Sequence, residues 1–582
     1  MTEPIRIANC SGFYGDRLSA AKEMVEGGPI DVLTGDWLAE LTMLILARTQ
    51  AKRPGGGYAR TFVAQMEQVM GTCLDKDIKV VTNAGGLDPD GCAAAVAEVA
   101  DKLGLAPKIA YVAGDNLLSR LGDLELDHFE TGEPIGDPDR FISANAYIGG
   151  WGIVEALNMG ADIVITGRAT DAAVVCGPAA WHHGWARDDW DQLAGAIVAG
   201  HVIECGTQAT GGNYSFFHEI PDLMHPGFPW AEIAADGSSV IGKHDGTAGE
   251  VNVGTVTSQL LYEIGAPAYL NPDVTSRFDT IQLEQVAPDR VRIFDTKGEP
   301  PPPTLKVAMN EWGGHRHDLT IALTGIDIEA KAELLSTAFW HECKTPREEF
   351  ASVSERVVRT DKEDPASNEE ASAQWRLTLK DPDERKLGRP IFDAMTGLAL
   401  ANIPGFYGIS MGSASPFGVY TPAVIDPSLV PMDVVFLDGP RTVVDSTSPA
   451  TPADVIPAPR PDAAVPDGPT QRLPLGTVVG ARSGDKGGNA NLGVFARSDE
   501  AYVWMEQLLT ADKLRELLPE AADMQIDVHP LPSIRSINFL IHGILQEGVA
   551  ASTRQDGQAK SLGEWLRARH TDIPVSLLPE GV

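Results

Sequence analysis

The sequence predicts an α/β protein in three parts: an N-terminal parallel-sheet α/β domain, an α+β second portion sharing its core, and a small C-terminal α/β sandwich. Three observations predict it. Short β-rich apolar runs alternate with helical segments over the first two hundred residues, the pattern of right-handed crossovers feeding a parallel sheet. From about residue 255 polar and apolar residues alternate instead, as on half-exposed antiparallel strands. The stretch STSPATPADVIPAPRPDAAVPDGPTQR then carries seven prolines with almost no apolar periodicity, a semi-rigid linker of polyproline character. The expected boundaries are 1–254, 255–447, a linker at 448–472, and 473–582.

Taken in order, IRIANCSG, DVLTGD, IKVVTNAGG, KIAYVAGD and ADIVITGR read as the parallel strands. The helices between them are WLAELTMLILART, TFVAQMEQVMGTCL, GCAAAVAEVADKLG and ISANAYIGGWGIVEALNMG. In the second portion DTIQLEQVAPDRVRIFDT and LKVAMNEWGGHRHDLTIALTGI are strands, and DIEAKAELLSTAFWHECKT is a helix. After the linker the order is strand (TVVGARS), strand (NLGVFAR), helix (AYVWMEQLLTADKLRELL), strand (MQIDVHPLP), strand (SINFLIHGIL), helix (KSLGEWLRARH), then IPVSLLP. That succession suits a two-layer sandwich of ferredoxin-like type.

Composition narrows the function. The 582 residues are 43% hydrophobic and 22% charged, as in globular proteins with several cores. A formal charge of −35 repels a phosphate backbone, so nucleic acid is not expected as a partner. No window approaches the ~18 apolar residues of a membrane span, and the start lacks a basic region followed by an apolar core. A cytoplasmic protein with no membrane partner is expected, and a homo-oligomer. The six cysteines never fall in CxxC spacing. Cys10 and Cys176 each follow an apolar run but read as small core residues rather than thiol nucleophiles. His315 and His317 share a strand face, yet two ligands do not close a metal site.

In parallel α/β sheets the ligand crevice lies beyond the carboxyl ends of the strands. The residues there are Asn9 with Asp16, then Thr34, Gly35 and Asp36, then Asn83, Gly85 and Gly86, then Gly114 with Asp115, and finally Thr166, Gly167, Arg168 and Asp171. Carboxylates exchange protons and Arg168 can hold an anion by a two-pronged hydrogen bond. Asp36, Asp115, Arg168 and Asp171 are the catalytic candidates; Asn9, Asp16, Asn83, Gly85 and Gly86 are the binding candidates. An arginine directly after the apolar run ADIVIT needs an anionic partner to offset its desolvation. Each of the others also has a plain reading as turn chemistry and helix capping. PGGGYAR at 54–60 and GGNYSF at 211–216 could form flaps over such a rim. No GxGxxG follows the first strand, so no dinucleotide is expected. GxSxG occurs as GISMG at 408–412, but no helical run follows it as a nucleophile elbow requires, which leaves an ester or thioester hydrolase as the third choice.

The densest run, ARSGDKGGNANLG, lacks the order of a Walker loop and sits between two β-type runs. It reads as a glycine-rich turn. Arg482, Asp485 and Lys486 within it are not needed together by a turn; they are expected to reach another surface as ligand-binding residues, with Lys486 and Arg482 supplying positive charge for a phosphate-bearing ligand such as coenzyme A or for an interface.

SGFYGDR, VTNAGGL, YVAGDN, ANAYIGGWGIVEAL, VITGRATDAA, EVNVGTVTSQLLYEIGAPAYLNPDV, ARSGDKGGNANLGVFAR and INFLIHGIL together resemble the acyclic terpene utilisation (AtuA) family over nearly the whole chain, its separate C-terminal domain included. The resemblance implies a place in the breakdown of branched, isoprenoid-like or other acyl chains as coenzyme A thioesters. The leading expectation is an acyl-CoA lyase, cleaving a C–C bond or hydrating and dehydrating a 3-hydroxyacyl-type substrate. The alternative is a non-catalytic subunit or docking partner of an acyl-CoA carboxylase or hydratase. No cofactor is expected beyond coenzyme A as part of the substrate, and no histidine-rich metal site; a divalent ion held by carboxylates alone stays compatible with the pattern.

Overall fold

The computed structural model describes residues 3–53, 55–449 and 455–579. It divides into two compact units, Met1–Asn310 with Tyr420–Val549 and Gln558–Val582, and Glu311–Val419 with Ala550–Gly557. The stretch expected as one α+β portion, 255–447, is thus shared between the units, its flanks joining the first and its middle forming the second.

The first unit is built on an eleven-stranded sheet. Its central strands, Ile5–Asn9, Val32–Gly35, Lys79–Thr82, Ile163–Thr166 and Ile109–Ala113, lie side by side in that order and are all parallel. The sheet as a whole is mixed, because antiparallel strands extend both edges. Pro229–Ile233, Ser239–Lys243, Arg290–Phe294 and Gln282–Ala287 continue one edge, and Met432–Phe436 and Arg441–Val444 the other. Side chains on alternate sides of the strands enter two cores. Ile7, Val81, Val112 and Val164 pack under the helices Trp151–Asn158, Ala173–His183 and Trp190–Ile203. Ala8, Leu33, Val80 and Ile165 pack under Ala20–Gly27, Arg60–Asp75 and Pro89–Leu103. Burial on both faces is what the continuous apolar runs require.

One expected helix is corrected. ISANAYIGGWGIVEALNMG splits into the strand Phe141–Ala146 and the helix Trp151–Asn158. Small residues give the first half no periodicity of its own, and backbone bonds from the Ala146 amide to the Asp115 carbonyl and from the Leu117 amide to the Ala144 carbonyl tie that strand to the segment 115–117.

The C-terminal part of the first unit is a four-stranded antiparallel sheet, ordered Val479–Lys486, Asn489–Ala496, Ser536–Ile541, Ile526–Leu531. Leu492, Val494, Ile537 and Phe539 on one face are covered by Asp499–Leu508, Ala511–Leu517 and Leu562–Ala568. The opposite face docks on the chain that follows the helix Val253–Leu260. There a Cβ on Gly493 would stand 2.5 Å from the Leu261 Cβ, and one on Gly484 would stand 2.6 Å from the Tyr262 ring, so only glycine admits this approach. Asn491 donates to the Leu261 carbonyl at 2.6 Å and accepts from the Glu263 amide at 2.8 Å, while Asn538 donates to the Gly265 carbonyl at 2.8 Å. Of the linker, 455–468 form no helix or strand, and 450–454 lie outside the described residues. The Ala458 amide donates to the Asp279 carbonyl at 2.9 Å and Arg460 pairs with Glu506 at 2.9 Å, which fastens the middle of the linker.

In the second unit the long strand Leu305–Thr324, through its part from Glu311 on, pairs with Ser372–Asp381, which pairs with Ser352–Val358; Phe406–Ser410 adds an edge. Ile321, Trp375 and Leu377 meet Phe339 and Ile391 of the helices Ile328–Glu342 and Arg389–Gly397. His317 in this unit is a buried structural histidine, bonded to the Met411 carbonyl at 2.8 Å and accepting from the Gly388 amide at 3.1 Å.

Candidate active site

The carboxyl ends of the parallel strands gather a buried charged cluster. Arg168, two residues beyond the strand Ile163–Thr166, is 2% exposed. Its guanidinium pairs with Asp171 at 2.5 Å, donates to the Leu38 carbonyl at 3.3 Å and lies 4.1 Å over the Tyr147 ring. The Arg168 Nε has no hydrogen-bond partner among the described residues. Asp36, beyond Val32–Gly35, accepts from the Asn83 amide at 2.5 Å and from the Leu38 amide at 3.0 Å. Asn83 in turn accepts from the Trp37 amide at 2.9 Å, so it fixes the aspartate rather than reaching a ligand. Burial, then the Asp171 charge, push the Asp36 carboxyl well above the usual range against the opposing pull of Arg168. One carboxyl here is thus pushed toward its protonated form while its neighbour is ion-paired.

Other rim residues serve the scaffold. Asp115 accepts from the Arg168 amide and from Asn145, each at 2.8 Å, which positions the arginine from behind. Asn9 donates to the Glu204 carbonyl at 3.0 Å and accepts from Ser11, and Asp16 accepts from the amides of Gly12 and Arg17. These two shape the first loop. Gly85 is where the chain passes the Thr166 carbonyl, which a Cβ would meet at 2.5 Å, and Gly86 has a φ of +54°. Both are required by the turn.

Four groups were not legible as site residues. Glu204, 5% exposed, follows the helix Trp190–Ile203 and stands 3.6 Å from His201. Burial and the charges of Asp171 and Asp36 hold the Glu204 carboxyl well above its ordinary range, and its Oε2 has no partner. Burial pushes His201 down to about 4, so it is neutral at physiological pH. Lys306 pairs with Glu40 at 3.0 Å and sits 5.0 Å from the Tyr147 ring and 5.6 Å from that of Tyr420. Burial, then the charges of Glu204, Asp171 and Glu263, raise Tyr269 well above the phenol range.

The C-terminal sheet reaches the same cluster. The glycine-rich run is not a long turn: its strands pair out to Lys486 and Asn489, leaving only Gly487 and Gly488 as the loop. Gly487 has φ +63°, as a two-residue hairpin turn of this type demands. Arg482, Asp485 and Lys486 therefore lie on a strand. Arg482 bonds to Gln208 and stacks 4.1 Å from the Tyr262 ring. Lys486 donates to the Glu263 carbonyl at 2.9 Å. Burial, then Glu263 and Glu40, raise the Asp485 carboxyl well above its usual range. Among the described residues no group of three or more His, Cys, Asp or Glu could hold a metal ion, and no helix is long and apolar enough to cross a membrane.

The match to known families spans both parts of this arrangement. The model of the acyclic terpene utilisation family protein AtuA covers residues 5–436. The chain belongs to the AtuA family. The AtuA ferredoxin-like domain matches residues 473–572, the four-stranded sheet and its helices. Membership gives the chain a role in acyclic terpene utilisation. No curated protein matches it. The residues of this cluster all belong to the first unit.

Proposed function

We propose that this AtuA protein is an acyl-CoA lyase of branched or isoprenoid-like acid catabolism, acting on a 3-hydroxyacyl thioester with coenzyme A entering only as part of the substrate. The observation that supports this is the Asp36–Arg168–Asp171 arrangement. It offers one carboxyl that burial pushes well above its usual range beside one carboxylate paired with a guanidinium.

Cleavage of the C2–C3 bond needs both forms. Asp171 takes the proton of the 3-hydroxyl as the bond breaks, the electron pair passes to the thioester as an enolate, and Asp36 delivers its proton to C2. The products are a carbonyl compound and a shorter acyl thioester. A cation near the enolate oxygen lowers the barrier, and Arg168, paired with Asp171 and acting on Asp36, is the cation beside the pair. Hydration or dehydration of the same substrate uses the same acid and base.

The test is incubation of the full chain with 3-hydroxyacyl-CoA thioesters of linear and branched chain, read by mass spectrometry. A shortened or dehydrated thioester is expected. No turnover of any thioester alone, together with a stoichiometric co-purifying carboxylase, would replace the lyase by a docking subunit.

A further inference from the structure

We infer that the C-terminal domain completes the site by placing Lys486, beside Lys306 and Tyr420, as the seat of one carboxylate anion. The inference deepens the reading above, which supplies acid and base but names no group that anchors the ligand's charge.

The seat is built by both parts of the unit. Lys486 is the last residue before the Gly487–Gly488 loop of the hairpin. Its Nζ donates to the neutral carbonyl of Glu263 at 2.9 Å and stands 5.8 Å from the Tyr269 ring. Among the described residues it forms no ion pair, whereas Arg168 has Asp171 and Lys306 has Glu40. A Cβ on Gly487 would lie 3.5 Å from the Tyr420 ring, so that ring borders the lysine's own turn. The Tyr420 hydroxyl faces Lys306 and Glu40. Burial first, then the Lys306 charge, bring Lys486 below the usual ammonium range, while Glu263, Glu40 and Asp171 oppose this.

A partly buried ammonium whose contacts are a carbonyl and a ring face gains when an anion joins it. The charge that fits is a single one. Glu40 pairs with Lys306 and Asp171 with Arg168, so of these three cations Lys486 is the one that forms no ion pair among the described residues. A phosphate would set a second negative charge among Glu40, Glu263 and Asp171. A carboxylate brings one, with two oxygens for two ammonium groups and a phenol.

The test is calorimetric titration of the full-length protein with sodium acetate and with inorganic phosphate, at constant ionic strength balanced with chloride. Saturable acetate binding is expected, weakened at least about tenfold in Lys486→Met and largely retained in Lys486→Arg. Lys486→Met without acetate is expected to melt no lower than the parent protein, because an unpaired, partly buried charge has been removed. Acetate binding to Lys486→Met within about twofold of the parent, or phosphate binding tighter than acetate, would overturn the seat. So would a parent protein indifferent to acetate whose Lys486→Met variant melts lower, since the lysine would then be only a clamp on the Glu263 backbone. Acetate binding without thioester turnover contradicts the lyase alone, and turnover without acetate binding contradicts the seat alone.

Discussion

Replacing Asn491 by Ala should undock the ferredoxin-like domain from the AtuA core without unfolding either. The side chain is fully buried and makes three bonds: to the Leu261 carbonyl at 2.6 Å, to the Asn538 Oδ1 at 2.9 Å and from the Glu263 amide at 2.8 Å. Alanine leaves those three groups buried without these partners. Two of them, the Leu261 carbonyl and the Glu263 amide, lie across the joint; at roughly 1–1.5 kcal/mol for each, the loss is about 2–3 kcal/mol of docking free energy, or a factor of roughly 30–150 in the docked population. The assay is hydrogen exchange read by mass spectrometry, because an all-or-none unfolding free energy is ill-defined for a chain of several cores. Peptides spanning 253–265 and 489–496 should lose protection, while those from the parallel strands Val32–Gly35 and Lys79–Thr82 keep theirs. Unchanged protection at 253–265, or equal loss everywhere, would refute the asparagine's role as the joint between the two parts.

Other outcomes follow from the same structure. Gly493→Ala drives a Cβ to 2.5 Å from that of Leu261 and should weaken the same docking by about 1–3 kcal/mol, seen as faster proteolysis within the linker. Arg168→Lys keeps the charge but loses the fork and the stacking on Tyr147. It should lower ligand affinity while near-UV circular dichroism stays native, and unchanged affinity would dismiss the anion-holding role. Burial raises Asp273, which accepts from the Gly150 amide at 2.7 Å, from its ordinary 3.8 to about 6. The native protein therefore keeps a proton that the unfolded chain loses near pH 4. Its contribution is full below that pH and falls by about 3 kcal/mol as the pH rises to about 6; Asp273→Asn should flatten that part of the melting-temperature profile.

The parallel strands were legible because each apolar run ends abruptly in a polar residue, and those ends are where Asp36, Asn83, Arg168 and Asp171 meet. The antiparallel flanks were not, since Arg290–Phe294 and Met432–Phe436 join the same sheet from distant sequence, and local periodicity carries no information about which edge a strand extends. ARSGDKGGNANLG was read as a turn because of its glycines, yet Gly484 and Gly493 are dictated by the approach of Tyr262 and Leu261 rather than by a bend. Glu204 and Lys306 follow no motif: one ends a helix, the other opens a strand, and only the tertiary fold brings them to the cluster.

The division of labour between Asp36 and Asp171 is tested most directly by single-turnover rates of the Asp36→Asn and Asp171→Asn variants on the thioester that the parent protein converts. The arrangement predicts loss of at least about a hundredfold in each, with melting temperatures close to the parent's, and with Asp36→Asn failing at protonation of C2, so that the released enolate equivalent takes up solvent deuterium without control of face. Normal rates in Asp36→Asn, or a loss of rate matched by a loss of stability in both variants, would contradict the acid–base pair and leave the two aspartates as parts of the scaffold.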